Sequence, residues 1–170
     1  MKITFKNQIR AALFASMIAI ITLISIPTPA GIPLTFQTFA VSLSGFTLGR
    51  KYGLEAVMIW LTVGIIGLPV FSGMTGGLGQ ILGITGGFLV GFIPLVLFCG
   101  NEYTHAANIL LAIAGLIICH TTGIIWFMFT AETNLATAII TTSIPYIIKD
   151  IISVIIAYGT AQVLKKRIKM

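Results

Sequence analysis

Lys149 and Asp150 are the residues of this chain whose position is hardest to explain without a chemical task. They stand side by side inside a long apolar run, about 135–164, where each charge costs about 2.5–3.5 kcal/mol at the centre of a bilayer. Both must therefore face protein, water or a ligand. Adjacent helical positions diverge by about 100°, which is expected to hinder a close pair between the two. The other acids, Glu55, Glu102 and Glu132, fall at predicted interfaces, so at least one of the two charges is expected to point into a cavity. His120, with Thr121 and Thr122, lies about two-thirds along the preceding run. An intramembrane histidine is a candidate for ligand contact by default, although a lone one more often donates to a backbone carbonyl.

A second chemical feature is the stretch 67–92, which holds half of the chain's 18 glycines and only neutral polar residues, Ser72, Thr75, Gln80 and Thr85. Glycine lets a backbone turn through positive φ and approach a ligand closely. Irregular backbone is tolerated at membrane depth only where protein or a water-filled cavity shields it. The stretch is therefore read as a re-entrant or capping loop over a pocket, with close helix packing as the alternative. It is not a phosphate-cradling loop, because no Lys or Arg occurs between Lys51 and Lys149. Nor does it have the strand and following acid of a dinucleotide site.

The elements that must position these residues are membrane helices. At 57% hydrophobic and 8% charged residues, with a mean hydropathy of +1.07, the chain falls far below the about 25% charged content of soluble domains. A span needs about 20 apolar residues, so the 170 residues allow roughly six spans as a single domain, 1–170. The net charge of +6 reports topology and not nucleic acid. Lys2, Lys6, Arg10, Arg50, Lys51, Lys165, Lys166, Arg167 and Lys169 all fall inside if the N-terminus is cytoplasmic, as the positive-inside rule expects. Only Lys149 is left over. Cys99 and Cys119 lack CxxC spacing and are read as apolar fillers, supporting neither a disulfide nor a metal site.

In chain order, a basic segment 1–10 precedes an apolar run 11–26. A signal peptide is the rival reading there, with Thr28-Pro29-Ala30 as a faint cleavage site, but 16 apolar residues exceed the usual h-region of about 7–15. Ala11, Ala15 and Ala19 form one smooth ridge, able to take either a partner protein or a neighbouring span. Residues 27–37, rich in proline, are an outer loop. Spans are then expected at about 36–48 and 54–70 around an inner turn 49–53, followed by 84–99 and 106–129. The last span, about 135–164, is expected to kink at Pro145. Gln37 stands at an outer end, and Trp126 and Phe129 read as an aromatic belt.

On PLTFQTFAVSLSG at 33–45, GLPVFSGMTGGLGQILGITGGFLVGF at 67–92, Gly123 with Trp126, and Pro145-Tyr146 followed by Asp150, the chain resembles the BioY family. These are the biotin-specific substrate-binding (S) components of energy-coupling factor (ECF) transporters. The resemblance implies an all-α integral membrane protein of six transmembrane helices, with the glycine-rich outer loop between the third and fourth. It implies biotin captured from outside, a transmembrane T component and two ATPase subunits as partners, no cofactor, and a place in the plasma membrane with both termini cytoplasmic. The alanine ridge is similar to the family's A-x-x-x-A surface for the T component.

A pocket for biotin is then expected to use Asp150 and Gln37 on the ureido ring, with Phe71 and Trp126 as apolar walls. Backbone groups around Thr75, Gly77 and Gly79, with Gln80 and Lys149, would meet the carboxylate. One departure stands out. The family pattern places Lys three residues after the Asp, where this chain has Ser153. Lys149 shares a face with Ser153 and is expected to reach a similar place. The alternatives are an S component for another vitamin, an intramembrane enzyme using His120 and Asp150, and a structural subunit without a ligand. The enzyme reading lacks a metal cluster or paired carboxylates.

Overall fold

The structure, a computed structural model, describes residues 2–28, 31–101 and 103–168. Pro29, Ala30, Glu102 and Lys169, invoked above, lie outside them. The elements are α1 (Lys2–Leu23), β1 (Ser25–Ile26), β2 (Leu34–Thr35), α2 (Gln37–Ile65), α3 (Leu78–Leu82), α4 (Gly86–Cys99), α5 (His105–Thr130), α6 (Leu135–Thr142) and α7 (Ile144–Ile168). The fold is all-helical apart from the small antiparallel pair β1–β2 in the 24–36 connection, a segment that reads in sequence as irregular loop.

α5 and α7 are long and apolar enough to cross a membrane, and α4 is a shorter apolar helix. Large apolar side chains stand on the outside: Phe129 is 80% exposed, and Leu110 and Ile148 are 70% exposed. Such a surface suits lipid, not water.

Two helices depart from regular form, each for a local reason. In α2 the expected inner turn contracts to a single residue, Gly49, at φ 76° and ψ 176°, a conformation for which glycine carries no steric penalty. The two arms fold back on one another there, so closely that a Cβ on Gly53 would lie 2.9 Å from the Gly45 Cα. The end of α4 seals the corner, with the Arg50 backbone N–H donating to the Gly100 carbonyl at 3.1 Å. The second arm ends at Ile65 and not near residue 70. The last helix breaks at Ser143 (φ −121°), two residues before Pro145. Proline lacks an N–H and disfavours helix at the residue before it, so the interruption falls upstream of the ring and Pro145 sits in the first turn of α7.

Close packing of α4 on α5 explains much of the glycine content. A methyl on Gly87 would stand 2.3 Å from the Trp126 Cβ and 2.6 Å from the Thr122 carbonyl oxygen, and one on Gly91 would stand 2.8 Å from the Cys119 Cα. Gly123 of α5 returns the favour to the Phe88 ring. The stretch is irregular from 67 to 85 apart from the short α3, and makes helix contact from Gly86 onward.

The alanine ridge takes its intramolecular alternative. Ala11 (0%) and Ala15 (4%) are buried in the chain's own core, and Ala19 packs against that core. As they stand, they present no exposed ridge to a partner. Cys99 and Cys119 are buried free thiols.

Overpacking a tight contact costs typically about 1–3 kcal/mol. Gly87→Ala should therefore lower the melting temperature of the detergent-solubilised protein by several degrees. Gly159→Ala, where nothing lies within 4 Å of the added methyl, should leave it unchanged or raise it, because glycine inside a helix is itself unfavourable. Equal shifts in the two melting curves would contradict the packing account.

Candidate ligand site

Asp150, on the inward face of α7 and 6% exposed, is the centre of a buried polar cluster. Its Oδ1 accepts from Lys149 Nζ at 2.5 Å, and its Oδ2 lies 3.3 Å from His120 Nε2. Lys149 Nζ also donates to the Thr35 carbonyl at 2.8 Å, tying β2 to α7. His120 Nδ1 meets the Ser143 hydroxyl at 2.9 Å. A neutral ring satisfies both contacts by donating from Nε2 to Asp150 and accepting from Ser143 at Nδ1.

The expectation that helical divergence hinders a close pair between Lys149 and Asp150 is thus corrected. Their Cβ directions diverge, but the flexible four-carbon lysine stem curls back across that angle. Asp150 also has a partner on another helix, because α5 brings His120 to it. That partner is a side chain rather than the backbone carbonyl a lone histidine more often meets.

The cluster forms one wall of a cavity of about 60 Å³. Gln37 and Thr38 reach it from the start of α2, Phe71 and Gln80 from the glycine-rich loop, and Phe88, Leu89 and Phe92 from α4. Phe71 is fixed by an edge-on contact with Trp60, ring centroids 5.4 Å apart. Gln37 Oε1 accepts from the Thr35 hydroxyl at 3.0 Å, while its Nε2 and the Thr142 hydroxyl are buried without a hydrogen-bond partner. Unpartnered buried groups are costly; both line this cavity.

A second recess of about 360 Å³ adjoins it, lined by Pro27, Thr28, Gly31, Thr75, Gly79 and Gly83. The two share Pro33, Ser72, Gln80 and Thr85, which form the neck between them.

Of the residues singled out in sequence, Gln37, Phe71, Gln80, Lys149 and Asp150 meet at the inner cavity, while Thr75 and Gly79 line the outer recess with Gln80. Three stand apart. Gly77 precedes α3 and uses its N–H on the Gly64 carbonyl at 2.7 Å. Trp126 does not wall the cavity; it packs on Gly87 and donates from Nε1 to the Gly83 carbonyl at 2.9 Å, supporting the loop from behind. Ser153 is buried one turn beyond Lys149 and lines, with Lys149, a separate groove beside α7. The polar contributions of Thr38, Thr142 and Ser143 were not anticipated. They are short hydroxyl residues in apolar surroundings, and only the turn signal of Pro145 hinted at the break that orients Ser143.

This arrangement defines a class: a helical membrane protein with a polar, hydrogen-bonding cavity closed over by a glycine-rich loop and a small hairpin. The whole chain, residues 1–170, matches the BioY family, and the protein belongs to it. Its relatives include the biotin transporter BioY of Thermotoga maritima, 35% identical over 95% of this chain and 96% of the other. The probable biotin transporter BioY of Pyrococcus horikoshii is 32% identical over 93% of each chain. Among solved structures, the S-component for biotin from an ECF-type ABC transporter superposes with a TM-score of 0.87 at 26% identity, covering 97% of this chain and 93% of that one. Membership places the chain among transporter components and not among enzymes.

Removing one partner of a buried pair leaves the other charge uncompensated. Asp150→Asn and Lys149→Met should each lower the melting temperature, because each variant leaves the other residue without its partner. In a double-mutant cycle the combined loss should fall short of the sum by about 0.5–3 kcal/mol. Strict additivity would show that the pair is not coupled.

Proposed function

We propose that this protein is the biotin-binding S component of an ECF-type uptake transporter. The observation that carries the reading is the buried Asp150 carboxylate facing a cavity, in a chain that matches the BioY family along its full length. Biotin presents a planar ureido group with two N–H donors and a carbonyl acceptor, an apolar thioether ring, and a carboxylate on a flexible chain. In this reading the ureido end enters the inner cavity. Asp150 accepts from a ureido N–H, and the free Gln37 Nε2 donates to the ureido carbonyl. Phe71, with Phe88 and Phe92, covers the apolar ring.

The carboxylate then extends through the neck toward the outer recess, where Thr75 and Gly79 sit. Lys149 belongs to the ureido end, because it already lies on Asp150. Small-molecule sites typically measure about 300–1,000 Å³, and the inner cavity is much smaller. Seating biotin therefore draws aside the neck residues Ser72, Gln80 and Thr85, and a glycine-rich loop is suited to that movement.

The same reading takes 1–170 as a single membrane-embedded unit with six crossings: α1, the two arms of α2, α4, α5, and the broken α6–α7. Basic residues at the chain termini and at the α2 break then lie on one side, which the positive-inside rule makes cytoplasmic. The protein would sit in the plasma membrane with both termini inside. Transport energy comes from a T component and two ATPase subunits, since this chain has no nucleotide-binding motif.

Labelled biotin should bind the purified protein tightly and selectively, with thiamine, riboflavin and lipoate failing to compete. Asp150→Asn should weaken binding at least tenfold, as expected when a charge-assisted hydrogen bond worth about 1.5–3 kcal/mol is lost, and Lys149→Ala should weaken it less. A well-folded sample that ignores biotin, or binds it equally well without the Asp150 charge, would overturn the assignment.

A further inference from the structure

The end of the bundle opposite the cavity carries a separate polar recess, of about 220 Å³, formed where α1, the break in α2 and the end of α7 converge. Arg10 and Lys165, 155 positions apart in sequence, both line it, together with Asn7, Thr47, Gly49 and Tyr52. No acidic side chain among the described residues lines it. Among the described residues neither cation has a carboxylate within 4.0 Å, and the one side-chain hydrogen bond of Arg10 is to Asn7 Oδ1 at 3.2 Å. That leaves most of the five guanidinium donors open, and the Asn7 amide nitrogen can donate outward. Thr47 is 4% exposed, and its hydroxyl has no hydrogen-bond partner.

Two half-buried cations sharing a concave site, with donors and no acceptor of opposite charge, are arranged for an anion. Elsewhere on its surface α1 carries exposed apolar side chains: Phe5, Ile9 and Leu13 are 66%, 47% and 64% exposed. A charged recess on a helix that also carries exposed apolar side chains fits a molecule with an anionic head and a hydrocarbon tail.

We propose that this recess binds the phosphodiester headgroup of an anionic phospholipid, with an acyl chain along α1. Arg10 forks onto phosphate oxygens, Lys165 supplies a second charge, and Asn7 and Thr47 add neutral hydrogen bonds. The proposal requires only that the chain is membrane-embedded, so it stands or falls separately from the biotin assignment. Basic pockets between membrane helices are a known physical basis for selecting anionic lipids.

The test uses the full chain purified in detergent, with phosphatidylglycerol and phosphatidylcholine as probes and native mass spectrometry counting bound lipid. One phosphatidylglycerol should be retained in preference to phosphatidylcholine. R10Q/K165Q should weaken its retention about thirtyfold, the effect of two cations near a headgroup, and Thr47→Val severalfold. Melting temperatures close to wild type establish that the variants are folded. Equal retention of the two lipids, or undiminished phosphatidylglycerol binding in R10Q/K165Q, would overturn the proposal. Displacement of the lipid by millimolar inorganic phosphate would make this a free-phosphate site instead. A double variant that keeps its lipid but no longer assembles with a T component would make the recess a protein contact and likewise end the lipid proposal.

Discussion

A carboxylate held at membrane depth has to be compensated, and the surroundings of Asp150 are organised by that requirement. Its two oxygens draw in Lys149 from the same helix and His120 from α5, and these bring further groups with them. Lys149 holds the Thr35 carbonyl, so the β1–β2 hairpin is fastened to α7. His120 holds Ser143, so the break in the last helix is fastened to α5. Tyr146 adds a further tie by donating to the Ile32 carbonyl at 2.6 Å. A single costly charge thus couples the hairpin, α5 and α7, and any ligand that bonds Asp150 acts on all three.

The packing of α4 on α5 places the cavity's other side. With Gly87 and Gly91 facing α5, and Gly115 and Gly123 facing α4, the two helices approach closely enough to hold Phe88 edge-on to the His120 ring at 5.8 Å between centroids. Bulkier residues would push α4 away and open the apolar wall. In lipid, where burial of apolar surface from water does not drive helices together, such contact is a main source of association energy. The helical part of the glycine stretch therefore supports the cavity, while Ser72, Gln80 and Thr85 from the part before it line the neck.

Asp150 and Lys149 were legible in the sequence because a charge in an apolar run has few inexpensive explanations. Their mutual pairing was not, because helical angle alone ignores the reach of a lysine stem. His120 was visible as an oddity, but its partner depends on how α5 crosses α7, which no local pattern encodes. Trp126 illustrates the opposite error: an aromatic residue near a predicted pocket was expected in the wall, and the glycines opposite it show that it packs behind the loop. The alanine ridge was legible as a contact surface, yet spacing does not say whether the contact is with another chain or with this one. The hairpin strands, two residues each, fall below the length at which alternation can be recognised. The helical character of the chain was plain from composition, whereas Gly49 as a one-residue corner was concealed by the charged segment around it.

That Asp150 is the group that a ligand must engage is tested most directly by a crystal structure of this protein with biotin. The ureido ring should lie within hydrogen-bonding distance of an Asp150 oxygen and of Gln37 Nε2, with the biotin carboxylate toward the neck at Ser72 and Gln80. Biotin bound only in the outer recess, or elsewhere with the Lys149–Asp150–His120 cluster unaltered and out of reach, would contradict it.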